Sequence, residues 1–143
     1  MKLLSIAAVS ILALTLTGCS AVTDLLYDET ESEFADREAF EKDWPRADSA
    51  QWLPGDAQTI HVRESGDGTV AIIGFASASE LDAQHCVETE RLSSPSFTDD
   101  WAPSEVFVDR VFACGDWAVM ATDDGWFGWS PSAPGEQEVA PAP

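Results

Sequence analysis

The clearest hydrophobic pattern in the chain lies at residues 106–130, where two tight-turn dipeptides separate runs of apolar residues. Gly115-Asp116 and Asp124-Gly125 each suit a two-residue hairpin, because Gly and Asp tolerate positive φ. Taken together they predict a three-stranded antiparallel meander. Cys114 then faces Trp117, Phe112 faces Val119 and Val111 faces Met120; Met120 also faces Trp129, and Thr122 faces Phe127. One face carries Phe112, Cys114, Trp117, Val119 and Trp126, the other Val111, Met120, Phe127 and Trp129. Two apolar faces mean a sheet covered on both sides, or one that offers a face to a partner. Upstream, Ile60 and Val62 alternate with His61 and Arg63. The turn Ser65-Gly66-Asp67-Gly68 follows, and residues 70–76 are then apolar on both faces, which predicts a hairpin.

The period changes before that hairpin. Thr30-x-x-Glu33 resembles a capping box, in which each side chain satisfies an orphan amide at a helix start. Glu33/Arg37 and Glu38/Lys42 stand at i,i+4 in the favourable order. On a helical wheel Phe34, Phe40 and Trp44 share a stripe, and Pro45 ends the segment. The expectation is a helix over residues 31–43 docked on the sheet by its aromatic stripe. Trp52-Leu53-Pro54-Gly55-Asp56 is turn chemistry. Ser79 is expected to cap one helical turn leading to Cys86. Residues 87–105 read as a short strand near 87–92 and then a long loop punctuated by Pro95 and Pro103. From Pro131 onward Pro, Ala and Glu leave almost nothing to bury, so residues 131–143 are expected to be a disordered tail.

The fold class expected from this pattern is α+β. It is one small domain, with an antiparallel sheet (a hairpin plus a three-stranded meander), one packed helix and one disulfide. Composition agrees on size. The chain has 143 residues, with six Trp and seven Phe to fill one modest core. Its formal net charge of −19 makes nucleic acid an implausible partner, since that affinity rests on Lys and Arg neutralising phosphates. An anionic lipid surface would likewise hold the domain off its headgroups.

The first 19 residues carry a different signal. Lys2 precedes an apolar run over residues 3–16, the length of a signal-peptide core and shorter than the roughly 18–20 residues of a membrane span. Leu16-Thr17-Gly18-Cys19 at its end resembles the lipobox of bacterial lipoproteins. That resemblance implies cleavage before Cys19, lipidation of its thiol, and display on the extracytoplasmic face of the cell membrane. Two or three acyl chains would make the tether effectively permanent. The domain plan is then a signal peptide (1–18), an acidic tether (19–30), the folded domain (31–130) and the tail.

With Cys19 assigned to lipid, Cys86 and Cys114 remain. One pair allows one connectivity, and an oxidising exterior lets a bridge persist. It would close a loop of about 28 residues, worth roughly 3 kcal/mol in the chain-entropy model. Two buried thiols or a metal pair are the alternatives.

Little else carries chemistry. Gly-x-Ser-x-Gly is absent, His61 falls on the polar face of a strand, and a bridged Cys86 could not be activated by His85. Asp99-Asp100 and Asp123-Asp124 are dense acidic pairs, but no Asp-x-Asp-x-Asp-Gly calcium loop appears. No cofactor, metal site or catalytic residue is expected. Trp101, in an Asp/Pro loop, and Trp126, beside a turn, are the candidates for an exposed partner surface, because Trp is enriched in binding hot spots.

Beyond the lipobox, residues 44–130 are similar in layout to small exported actinobacterial lipoproteins, which have no assigned activity. The points of likeness are Trp52-Leu53-Pro54-Gly55-Asp56-Ala57, the hairpin, the first cysteine after a short turn, and Cys114-Gly115-Asp116-Trp117. Scarcity of Lys and Tyr and the absence of Asn fit a GC-rich genome of that kind. The functional expectation is a non-enzymatic binding or accessory protein of the cell envelope, with a protein or glycan partner. A small-ligand binding or sensing module is the alternative, and an envelope hydrolase a distant third.

Overall fold

The computed structural model describes residues 28–142. The lipobox and Cys19 lie outside the described residues. Seven strands form one antiparallel sheet: β1 (Glu29–Asp36), β2 (Gln58–Ser65), β3 (Ala71–Ala76), β4 (Val87–Glu90), β5 (Arg110–Cys114), β6 (Trp117–Ala121) and β7 (Gly125–Ser130). Their spatial order is β1-β2-β3-β7-β6-β5-β4, so the N-terminal three-strand unit and the C-terminal four-strand unit meet at the β3–β7 seam. A helix, α1 (Arg37–Asp43), follows β1, and a second, α2 (Pro134–Val139), closes the chain. Among the described residues no helix is long and apolar enough to cross a membrane.

The fold is the expected α+β domain, with hairpin, meander and packed helix in place. Cys86 and Cys114 are bridged, their Cα atoms 4.3 Å apart. This bond ties the turn before β4 to the end of β5. That turn begins at Asp82, whose side chain accepts from the Gln84 amide at 2.8 Å, rather than at the expected Ser79.

The expected helix over residues 31–43 begins too early. Residues up to Asp36 are strand β1, and only the second half is helical. The N-cap is Asp36, whose carboxylate accepts from the Ala39 amide at 2.9 Å, not Thr30. Arg37 accordingly pairs with Glu41, not Glu33. The physical reason is the period-two pattern of β1, which puts Ser32 and Phe34 opposite Val62 and Ile60, with Glu31 and Glu33 opposite Arg63 and His61. Edge pairing with β2 satisfies every second backbone group of that segment, which a solitary extra helical turn would leave to water. Phe34 still meets Phe40, edge to face at 5.5 Å, so the aromatic stripe survives across the strand–helix junction.

The second meander turn sits one residue earlier than expected, at Asp123-Asp124 instead of Asp124-Gly125. Met120 faces Phe127 and Ala118 faces Trp129, a slip of two residues from the pairing of Met120 with Trp129. Asp123 and Asp124 form the tip, closed by the Thr122 amide donating to the Gly125 carbonyl at 2.9 Å. Gly125 is therefore in the strand, where the Phe75 carbonyl and the Ala76 backbone come so close that any Cβ would collide with them. Because a strand repeats every two residues, a two-residue slip leaves every face assignment unchanged. Phe112, Cys114, Trp117, Val119 and Trp126 face one side, and Val111, Met120, Phe127 and Trp129 the other.

Both faces are covered. On the inner face Phe40 of α1, Trp44 at its C-cap, and Trp52 and Leu53 of the following loop bury Ile60, Val62, Ile73, Trp117 and Val119. The outer face, with Ile72, Val111, Phe127 and Trp129, lies beneath the loop of residues 91–109, which contributes Phe97, Trp101, Val106 and Val108.

The expected disordered tail is ordered as far as residue 142, and its anchor is Glu136. Pro134 suits the first helical position. Glu136, two residues later and completely buried, accepts from its own helix's Ala133 amide (2.7 Å). It also accepts from the Leu92 amide (2.7 Å), the Ser93 amide (3.2 Å) and the Ser93 hydroxyl (2.5 Å). One carboxylate thus stitches the C-terminus to the outer loop, compensating for a segment poor in apolar residues. At the other boundary, Glu29 and Thr30 belong to β1 rather than to the tether.

Candidate functional site

A cleft of about 650 Å³ opens at one end of the sheet, where β2 begins, β3 and β6 end and β7 begins. Trp101 and Trp126, the two tryptophans singled out in the sequence, both line it. Each is half-buried rather than fully exposed.

Trp101 is held by a notch in the sheet. Gly74 of β3 lies between His61 of β2 and Phe127 of β7 in the ladder. With no side chain there, the benzo edge of Trp101 drops into the gap, 3.0 Å from where a Cβ would stand. The indole stacks on the His61 imidazole (ring centroids 5.3 Å apart, 16° between planes), and its Nε1 donates to Glu31 Oε1 at 3.2 Å. The loop behind it is pinned by Arg63, which donates to the Thr98 carbonyl and to Asp99 Oδ2, both at 3.0 Å, while also pairing with Glu29. The Glu29 hydrogen bond, then the Asp99 bond and both negative charges, hold the Arg63 guanidinium above its ordinary pKa despite some desolvation. Asp99, one of the dense acidic pairs, is thus a structural anchor.

Trp126 projects from the opposite face at the same end of the sheet. It packs edge-on against Phe112 at 5.6 Å, and its Nε1 donates to the Ser79 carbonyl at 3.0 Å. Both indole N–H groups at the cleft are therefore already committed, and one face of Trp101 is taken by His61.

The other acidic pair caps the cleft. Asp123 and Asp124 at the β6–β7 turn line it together with Glu105, and all three are exposed. Across that turn lies an adjoining hollow of similar size, lined by Asp56 and Glu80. The Asp56 carboxylate accepts from the Ser77 hydroxyl (2.6 Å) and the Ala78 amide (3.1 Å). The Ser77 bond is the main reason its pKa lies below the usual carboxylate value.

Thr59 on the cleft wall has φ +50°, in the left-handed region that a β-branched residue seldom enters. It sits where the β2–β3 register shifts between Gln58 and His61. Such a conformation costs about 1–3 kcal/mol and persists only where its surroundings impose it.

Neither histidine stands beside a nucleophile. His61 is stacked on Trp101 with Nδ1 3.8 Å from Glu33, and Cys86, next to His85, is consumed by its disulfide. Among the described residues, no three His, Cys, Asp or Glu side chains converge as a metal set. No known protein family, curated protein or solved structure matches this chain.

Proposed function

We propose that this chain is a lipid-anchored binding or accessory protein of the bacterial cell envelope, held by Cys19 and acting without catalysis. The cleft beside Trp101, bordered at the sheet end by Trp126, is its binding site. The observation that carries this reading is the cleft itself, a concave surface with two part-buried tryptophans, a strained Thr59 in its wall and three uncovered carboxylates at its rim. Concavity favours a small ligand, or a side chain or sugar unit of a larger one, over a flat protein face. The volume falls within the roughly 300–1,000 Å³ of small-molecule sites. This is the specific support for the second reading, a small-ligand sensing module, which would use the same site. Two carboxylates flanking a cleft are also what a glycosidase needs. Here, however, Asp123, Asp124 and Glu105 are all exposed at the rim rather than enclosed on either side of a substrate.

The anchor is tested by mass spectrometry of the mature protein, which should find Cys19 acylated and the modification abolished by Cys19→Ala. The site is tested in intact cells with a photoreactive residue placed at Asp123, on the cleft, or at Asp48, exposed on the 3-10 turn (Ala47–Ala50) after α1. Crosslinks formed from position 123 and missing from position 48 are the expected outcome. Identical products from both positions would refute the cleft as the site.

A further inference from the structure

Three contacts hold Trp101 against the sheet: the Gly74 notch, the Glu31 carboxylate on Nε1, and the His61 ring stacked on its face. Behind it, Arg63 pins the loop at Thr98 and Asp99. Of the side chains in this set, only His61 carries a group that ordinarily gains its charge between pH 8 and pH 5. Carboxylates and guanidinium groups ordinarily keep theirs across that window. Charging the imidazole changes two contacts at once. The ring stack, at 5.3 Å and 16°, becomes a cation lying over an indole face, and Trp is the best aromatic partner for a cation. Nδ1, 3.8 Å from Glu33 Oε2, gains an ion pair.

The surroundings decide the sign. β1 sets Glu33 directly opposite His61, with Glu31 two residues along the same face. β3 offers only Gly74, which has no charge. On β2 itself Arg63 lies on the same face and repels an imidazolium, but it is paired with Glu29 and with Asp99 of the outer loop. Glu105, Asp123 and Asp124 line the same cleft as His61 and add further negative charge. Desolvation opposes the charged ring, but it is incomplete, because His61 keeps 24% of its side-chain surface exposed. The balance favours the cation while Trp101 lies on it. We propose that protonation of His61 locks Trp101 into the Gly74 notch, so that the outer loop is a pH-gated cover, tighter in mildly acidic surroundings than in neutral ones. The extra hold is complete while the imidazole is charged and is lost as pH rises through the imidazole range. The lock acts on the cover itself, whatever the cleft binds.

Proton NMR of the full chain in detergent tests the lock, since the chain has only two histidines, His61 and His85. With the indole in place, His61 should titrate about 0.3–0.7 pH unit higher than in Trp101→Leu, matching a roughly two- to fivefold preference of a part-exposed ring pair for a cation. Both chains carry Glu31→Gln, so that the carboxylate Trp101 would release does not enter the comparison. His85, which lines a separate hollow with Arg37 and Gln51, should not respond. The second measurement is hydrogen exchange at the Ala102 amide, which donates to the Asp99 carbonyl at 3.1 Å. Measured against the unfolded chain at the same pH, its protection should be about two- to fivefold greater at about pH 5.5 than at about pH 8. In His61→Gln the two values should agree. A His61 midpoint that is equal or higher without the indole overturns the lock. So does Ala102 protection that ignores pH, or that follows pH equally in His61→Gln. An equal shift at His85 assigns the effect to the general acidity of the chain and overturns the lock too. The wild-type exchange comparison needs no substitution, so it can refute the lock even where a variant disturbs folding.

Discussion

The two faces of the sheet are both rich in tryptophan, but they are covered in different ways. On the inner face Trp44, Trp52 and Trp117 are packed ring to ring at 5.9–6.4 Å beneath α1 and the loop that follows it. Trp44 still donates to Glu64 Oε1 at 3.2 Å, but for the other two burial takes precedence over hydrogen bonding. The Nε1 atoms of Trp52 and Trp117 are enclosed and have no partner among the described residues, a cost of about 1–3 kcal/mol each that the large apolar area around them must offset. On the outer face the indoles are paired: Trp129 donates to the Ser93 hydroxyl at 2.8 Å and Trp101 to Glu31. The outer cover is an irregular loop, held by a few polar anchors at Asp99, Ser93 and Glu136 and by one aromatic ring in one glycine notch. The lesson is a division of labour. The inner layer stabilises the domain by area, and the outer layer is fixed by specific contacts, so it can be shaped into a site without dismantling the core.

Trp117→Ala should break the inner layer with the largest effect, about 3–5 kcal/mol lost in urea unfolding, and with amide exchange faster throughout the sheet. Glu136→Ala should cost about 3 kcal/mol, because it leaves the Leu92, Ser93 and Ala133 amides and the Ser93 hydroxyl without their shared acceptor. Exchange should then accelerate first in residues 91–109 and 133–140, with β2, β3 and β7 following only at global unfolding. Uniform acceleration would show that the outer cover is not a separately held layer. Gly74→Ala should be the mildest, about 1–3 kcal/mol. The added methyl expels the Trp101 ring, visible as loss of the near-ultraviolet signal from its His61 stack. An unchanged Trp101 environment would mean that the notch does not position the cleft wall.

Legibility in the sequence followed the range of the interactions. The meander faces were readable because they depend only on alternation, and they survived a register error at Gly125, whose glycine answers to the Phe75 carbonyl rather than to turn geometry. Cys86 and Cys114 were readable as the one pair left over. β1 was misread because Phe34, Phe40 and Trp44 fit a helical wheel as well as a strand feeding a helix; the alternation of Ser32 and Phe34 with Glu31 and Glu33 was the signal available. The ordered C-terminus was hidden because the partner of Glu136 lies 43 residues away. Local composition cannot announce such a contact. Trp101 and Trp126 could be singled out as a pair. The cleft between them could not, since it draws its walls from β2, β3, β6, β7 and the outer loop, which only the topology brings together.

The antiparallel ladder gives the molecule two poles. Thr30, Glu64, Ala71 and Ser130 lie in register at one end, and Asp36, Gln58, Ala76 and Gly125 at the other. The chain enters at the first pole, and the cleft opens at the second. Along β2 from Ser65 back to Thr59 the two are separated by about 20 Å, at roughly 3.3 Å per residue. Residues that precede Glu29 thus join the sheet at the pole away from the cleft, so a partner drawn to one pole leaves the other free.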